Sequence, residues 1–237
     1  VPRVNGDRLW HDLTALSFER YADRDRQWAR QYIQTHLPTD WVWETQSFAE
    51  GINLIAHPVN DPPDLETIVL AAHYDTVPNS PGADDNGTGV ATLLEVARLW
   101  SEFITPQMST KPDLPDDTVN VTNDQRSLEL VPARSLQLVF FDQEEAGLLG
   151  SQAFVTEPGR LAHIMGAVVL DMVGYACYEV DCQQYPDFLS YQSLDTTGDF
   201  LAVIGDREHP ELIESFQATE NAQFPRVRAL AVPVIDG

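Results

Sequence analysis

The ten residues IVLAAHYDTV, Ile68 to Val77, decide the fold, because an unbroken apolar run of strand length stops abruptly at a histidine and an aspartate. A strand with one wet face alternates polar and apolar residues, so an unbroken run with β-branched members reads as a strand covered on both faces. The arrangement recurs twice. LQLVFF, Leu136 to Phe141, runs into Asp142-Gln143-Glu144-Glu145, and AVVL, Ala167 to Leu170, runs into Asp171. Between the first two lies Gly87 to about Phe103, where Val90, Leu93, Leu94 and Ala97 fall on one helical face, and after the second Gly147 to about Phe154 reads as another helix. Buried strands alternating with helices predict an α/β fold, a three-layer sandwich with a mixed, largely parallel central sheet flanked by helices. In such sheets a ligand site gathers beyond the carboxyl ends of the strands, which is where each of these charged groups falls.

Outward from this centre, the stretch up to about Leu37 carries Leu9, Leu13 and Leu16, then Trp28, Tyr32 and Ile33, at spacings that predict two amphipathic helices packed by those residues on the core. WVWETQSF and INLIAHPV, on either side of Ala49-Glu50-Gly51, predict a strand pair joined by a turn. Residues 105–134, rich in Pro, Asp, Asn, Thr and Ser, predict a long surface loop or insertion. A chain of 237 residues with 43% hydrophobic content can bury one sizeable core, so a single domain over 1–237 is expected.

Composition excludes several classes of function. Lys and Arg total 14 against 37 Asp and Glu, a net charge of -23, which repels a phosphate backbone and argues against nucleic acid as a partner. No apolar run approaches the roughly 20 residues that span a bilayer, so a water-soluble chain with no membrane partner is expected. Lys111, the only lysine, lies in a polar, proline-containing stretch, which argues against Schiff-base chemistry. Cys177 and Cys182 are the only cysteines, with four residues between them, which is not the spacing of a zinc knuckle or a thioredoxin-like pair. A local disulfide and two free thiols both fit; the first points to a secreted or periplasmic protein.

Charged side chains placed directly after buried strands are costly unless paired or bound to metal. Beside His73, Asp75, Glu144, Glu145 and Asp171 stands a further group, Gly82-Ala83-Asp84-Asp85-Asn86-Gly87, in the loop before the long helix. Imidazole and carboxylate together suit zinc, and so many carboxylates suit two ions bridged by one of them. His11, His36, His57, His163 and His209 lack this setting and read as surface or packing residues.

AAHYDTV (71–77), PGADDNGTGVATLLEVARL (81–99), FFDQEEAGLLGS (140–151) and VVLDMVGY (168–175) together resemble the successive blocks of the co-catalytic two-zinc aminopeptidases, to which glutaminyl cyclases are related. The resemblance implies an exopeptidase acting on peptides with a free N-terminus. It implies that His73 and Asp171 bind one zinc, that Asp85 bridges both and that Glu145 binds the other, with Glu144 as general base and Asp75 orienting the His73 ring. It also implies a cis peptide between Asp85 and Asn86. The family takes its last metal ligand from a histidine in a Ser-Asp-His type block, and this chain reaches ALAVPVIDG without one, so an extension beyond Gly237 carrying that histidine is expected. Two rival readings are a single-zinc glutaminyl cyclase and a binding domain that kept the fold and lost the chemistry. Retention of both Glu144 and Glu145 argues against the binding domain, and the intact Asp84-Asp85-Asn86 block argues against a single zinc.

Overall fold

The computed structural model describes residues 2–59, 65–104, 134–184, 196–206, 208–218 and 226–232. They form two units, Val1–Met172 and Val173–Gly237. The first is built on five strands, β1 (Trp41–Phe48), β2 (Gly51–Pro58), β3 (Thr67–His73), β4 (Ser135–Phe141) and β5 (Ile164–Val169), in the order β1-β2-β4-β3-β5. Phe48 stands opposite Gly51, leaving Ala49-Glu50 as the turn of a hairpin. β2 is antiparallel to β4, whereas β4, β3 and β5 run parallel. The sheet is therefore mixed, as expected, with its parallel part carrying the charged strand ends.

Helices cover both faces, because the strands bury alternate residues on opposite sides. Leu54, Ala56, Ala72, Leu138 and Phe140 pack with Leu16 of α1 (Gly6–Leu16), Ile33 of α2 (Asp23–His36), and Val90, Leu93, Leu94 and Ala97 of α3 (Gly89–Ile104). Ile55, Val69, Ala71, Val139 and Phe141 turn the other way, onto Phe154 of α4 (Leu149–Thr156). The result is the three-layer α/β sandwich that the strand and helix alternation predicts. Each fully buried leucine in these clusters contributes roughly 1.5–3 kcal/mol over an exposed one.

Two local expectations are corrected. Trp28 is 60% exposed, because the inward face of α2 is formed by Arg26, Ala29, Arg30 and Ile33. β5 is not covered on both faces: its burial alternates, with Met165 and Val169 more than half exposed, as suits the last strand of this sheet among the described residues. Of the segment 105–134 only Arg134, which pairs with Glu66 at 3.3 Å, is among the described residues.

In the second unit Cys177 and Cys182 form a disulfide, and Cys177 bridges to Gly198. β6 (Phe200–Asp206) and β7 (Arg226–Val232) are parallel, and α5 (Pro210–Ala218) lies between them in sequence, as a parallel pair requires a crossover. A Cβ on Gly205 would come within 2.6 Å of Ile213, so glycine lets α5 approach β6 closely. β7 takes in Ala229 to Val232 of the terminal ALAVPVIDG; residues 233–237 lie outside the described set. Among the described residues no helix is long and apolar enough to cross a membrane.

Candidate metal centre

Because β3, β4 and β5 are parallel, their carboxyl ends share one edge. His73 pairs with Phe141 and Ala71 with Val169, so Asp142 and Asp171 follow at nearly the same level as His73. The kinked turn Ala83–Thr88 brings the fourth group to that edge, with helical geometry broken at Asp85 and Asn86 and a cis peptide between them, as the family resemblance implies. Asn86, fully buried, fixes the turn: its Nδ2 donates to Leu170 O at 2.7 Å and its Oδ1 accepts from Gly89 N at 3.0 Å. The Asp85 turn is thus tied to the residue preceding Asp171.

His73 lies at the centre of the cluster and is buried. Its Nε2 is 3.1 Å from Asp85 Oδ1, 3.6 Å from Asp171 Oδ1 and 3.9 Å from Glu144 Oε2. Nε2 nevertheless makes no hydrogen bond of normal geometry among the described residues. On the far side of the ring, Nδ1 lies 3.2 Å from Asp75 O and 3.4 Å from Asp75 Oδ1. Asp75 has a second task, since its Oδ1 accepts from Glu144 N at 3.0 Å and its Oδ2 from Glu145 N at 3.1 Å. One buried carboxylate therefore holds both the imidazole and the turn that presents the two glutamates.

One ligand atom each from His73, Asp85 and Asp171 lies within 4.8 Å of the others. An unbonded buried imidazole nitrogen facing two carboxylates is a donor set that can hold a divalent cation. Glu145, expected as a ligand, stands outside this trio. Burial and then the negative charge of Asp85 push its carboxyl up.

Burial and then neighbouring like charges shape the titration of Asp85 and Glu144. Burial, then Asp171 and Asp84, raise Asp85 against the pull of His73, and burial, then Asp171, Asp75 and Asp85, raise Glu144 in the same way. Burial alone would lower His73, but the nearness of the Asp171 and Asp75 carboxylates and the charges of Asp75 and Glu144 raise it to about 10. A cation must displace that proton, because only the neutral imidazole ligates. Apparent metal affinity should therefore rise with pH through neutrality, by roughly tenfold per unit for one displaced proton. Competition with a chromophoric chelator at several pH values measures this, and a flat profile would contradict the assignment of Nε2 as a ligand.

Sequence reasoning missed the buried cations beneath the site. Asp142, fully buried, meets Arg26 Nε at 2.9 Å and Arg30 Nη1 at 3.3 Å, both from α2. Its oxygens also accept from Ile52 N at 2.9 Å and Gln143 N at 3.0 Å, so the ion pairs anchor the root of the Glu144 turn. The available signal was the phase of Arg26 and Arg30, which share the helical face of Ile33.

Comparisons with known proteins bear on the fold and the family. The leucine aminopeptidase 1 of Trichophyton rubrum is 31% identical over 204 residues, which cover 76% of this chain and 48% of that protein. LapB of Legionella pneumophila superposes with a TM-score of 0.67 at 18% identity, covering 97% of this chain and 56% of that one. A glutaminyl cyclase of Macrostomum lignano gives a TM-score of 0.62 at 16% identity, covering 97% and 71%. At such identities these two structures share the fold alone. The chain spans less than half the length of curated relatives such as the Trichophyton protein. The sequence pattern of Peptidase family M28 matches residues 53–216, a span that takes in every strand end of the candidate metal centre, and the chain belongs to that family.

Proposed function

We propose that this chain is the catalytic part of a zinc-dependent aminopeptidase that removes N-terminal residues from peptides. The observation that carries the reading is the convergence of Asp85 and Asp171 on the unbonded Nε2 of His73, at 3.1 and 3.6 Å, with Glu144 at 3.9 Å. His73 and Asp171 would hold one ion, and Asp85 would bridge to a second that Glu145 helps to bind. Zinc bound there supplies a Lewis acid that acidifies water and polarises the scissile carbonyl. Glu144 takes a proton from the water as its oxygen adds to the carbonyl carbon. The same carboxyl then passes the proton to the amide nitrogen as the C–N bond breaks, releasing one amino acid and a shortened peptide.

Asp75 keeps the His73 ring and the Glu144 backbone in fixed relation throughout. The surrounding carboxylates receive the substrate's free amine, whose positive charge the cluster favours. Similarity to leucine aminopeptidase 1 supports an exopeptidase, and the disulfide supports an oxidising location such as the cell exterior or periplasm. Acetylating the N-terminus of a test peptide should abolish cleavage. Equal cleavage of blocked and free peptides, followed by mass spectrometry, would replace this reading with an endopeptidase.

A further inference from the structure

Arg20 lies between α1 and α2, far in sequence from every residue of the metal cluster, yet it is completely buried. Its guanidinium donates to main-chain carbonyls of three segments. Nη1 reaches Leu16 O and, at 2.9 Å, Phe18 O in its own neighbourhood. Nε donates to Tyr74 O at 2.6 Å, the carbonyl between His73 and Asp75. Nη1 and Nη2 reach Pro81 O at 3.3 Å and Gly82 O at 2.9 Å, at the entrance to the turn that carries Asp85. The main chain of Arg20 is fixed as well, its N–H donating to Thr76 Oγ1 at 2.9 Å.

The planar fork thus spans two segments that each bear a candidate ligand and that no regular secondary structure joins. Gly82 fits closely over it: its φ is +57°, and a Cβ there would come within 2.2 Å of Thr76 Cγ2 and 2.6 Å of Arg20 Nη2. A side chain wanted only for packing would not place donors on both ligand-bearing segments, and an apolar residue would avoid burying a charge. We propose that Arg20 is a positioning residue for the metal centre, its guanidinium setting the separation between His73 and Asp85. The proposal rests on the reading of His73, Asp85 and Asp171 as metal ligands.

Lysine keeps the charge but is a point donor that cannot bridge the two segments in a fixed fork. Zinc titration of the full chain, wild type beside Arg20→Lys, therefore separates geometry from charge, with thermal unfolding in excess chelator reporting the metal-free fold. Zinc affinity of Arg20→Lys should fall about 10- to 100-fold, the range for partners that orient a metal ligand, while the chelated protein still unfolds cooperatively. A folded Arg20→Lys that binds zinc within threefold of wild type overturns the proposal and leaves Arg20 a residue of the fold only. Should Arg20→Lys fail to fold, Thr76→Val decides by the same measurement, because it removes the acceptor of the Arg20 N–H: weakened zinc binding supports the proposal, and unchanged binding overturns it. A wild-type chain that binds no zinc overturns the metal-centre reading itself, and the Arg20 proposal with it.

Discussion

Glu144→Gln is expected to retain zinc and to lose turnover by roughly 10²- to 10⁴-fold, the usual cost of removing a general base. The expectation follows from position and charge. Glu144 Oε2 stands 3.9 Å from His73 Nε2, beside the trio but outside it, and burial with the nearby carboxylates raises its pKa, which makes it a stronger base once ionised. Glutamine preserves the shape and keeps the backbone N–H that Asp75 accepts at 3.0 Å, but it cannot take a proton. The acid limb of the wild-type rate profile, where Glu144 becomes protonated, should disappear along with most of the activity. Near-normal turnover in the variant, measured on a peptide with a free N-terminus, would remove Glu144 from the role.

Much of this could be read from the sequence, for a physical reason. Ile68 to Ala72 and Leu136 to Phe141 lie in strands covered on both faces, and such strands leave no polar face to disguise them. The apolar face of α3 was equally legible, since Val90, Leu93, Leu94 and Ala97 all belong to the core. Side chains whose burial depends on a distant partner were not legible. On α2 the apolar choice was Trp28, whereas Arg26 and Arg30 point inward because Asp142, more than 100 residues later, compensates them. Periodicity cannot see that partner. Arg20 escaped notice for the same reason, as its acceptors are main-chain carbonyls that no sequence pattern displays. β5 was misjudged because an apolar strand with one open face can have the same sequence as one covered on both.

The adjacent pair Asp84 and Asp85 shows how local geometry divides roles that composition leaves equal. Thr88 Oγ1 donates to Asp84 O at 2.8 Å and to Asp84 Oδ1 at 3.3 Å, so the Asp84 carboxylate is turned towards the start of α3. Asp85 instead points at His73. Removing the Asp84 side chain should cost about 0.5–1.5 kcal/mol of stability, the worth of a hydrogen bond, and leave the metal in place. Removing that of Asp85 takes away an oxygen from the trio, and from the second ion if it bridges. Its effect should exceed the roughly 10- to 100-fold loss of affinity seen when only an orienting partner is lost. Calorimetric zinc titration of wild type, Asp84→Ala and Asp85→Ala tests the metal centre most directly: tight binding by the first two and its loss in Asp85→Ala is the predicted result, and wild-type zinc affinity in Asp85→Ala would contradict it.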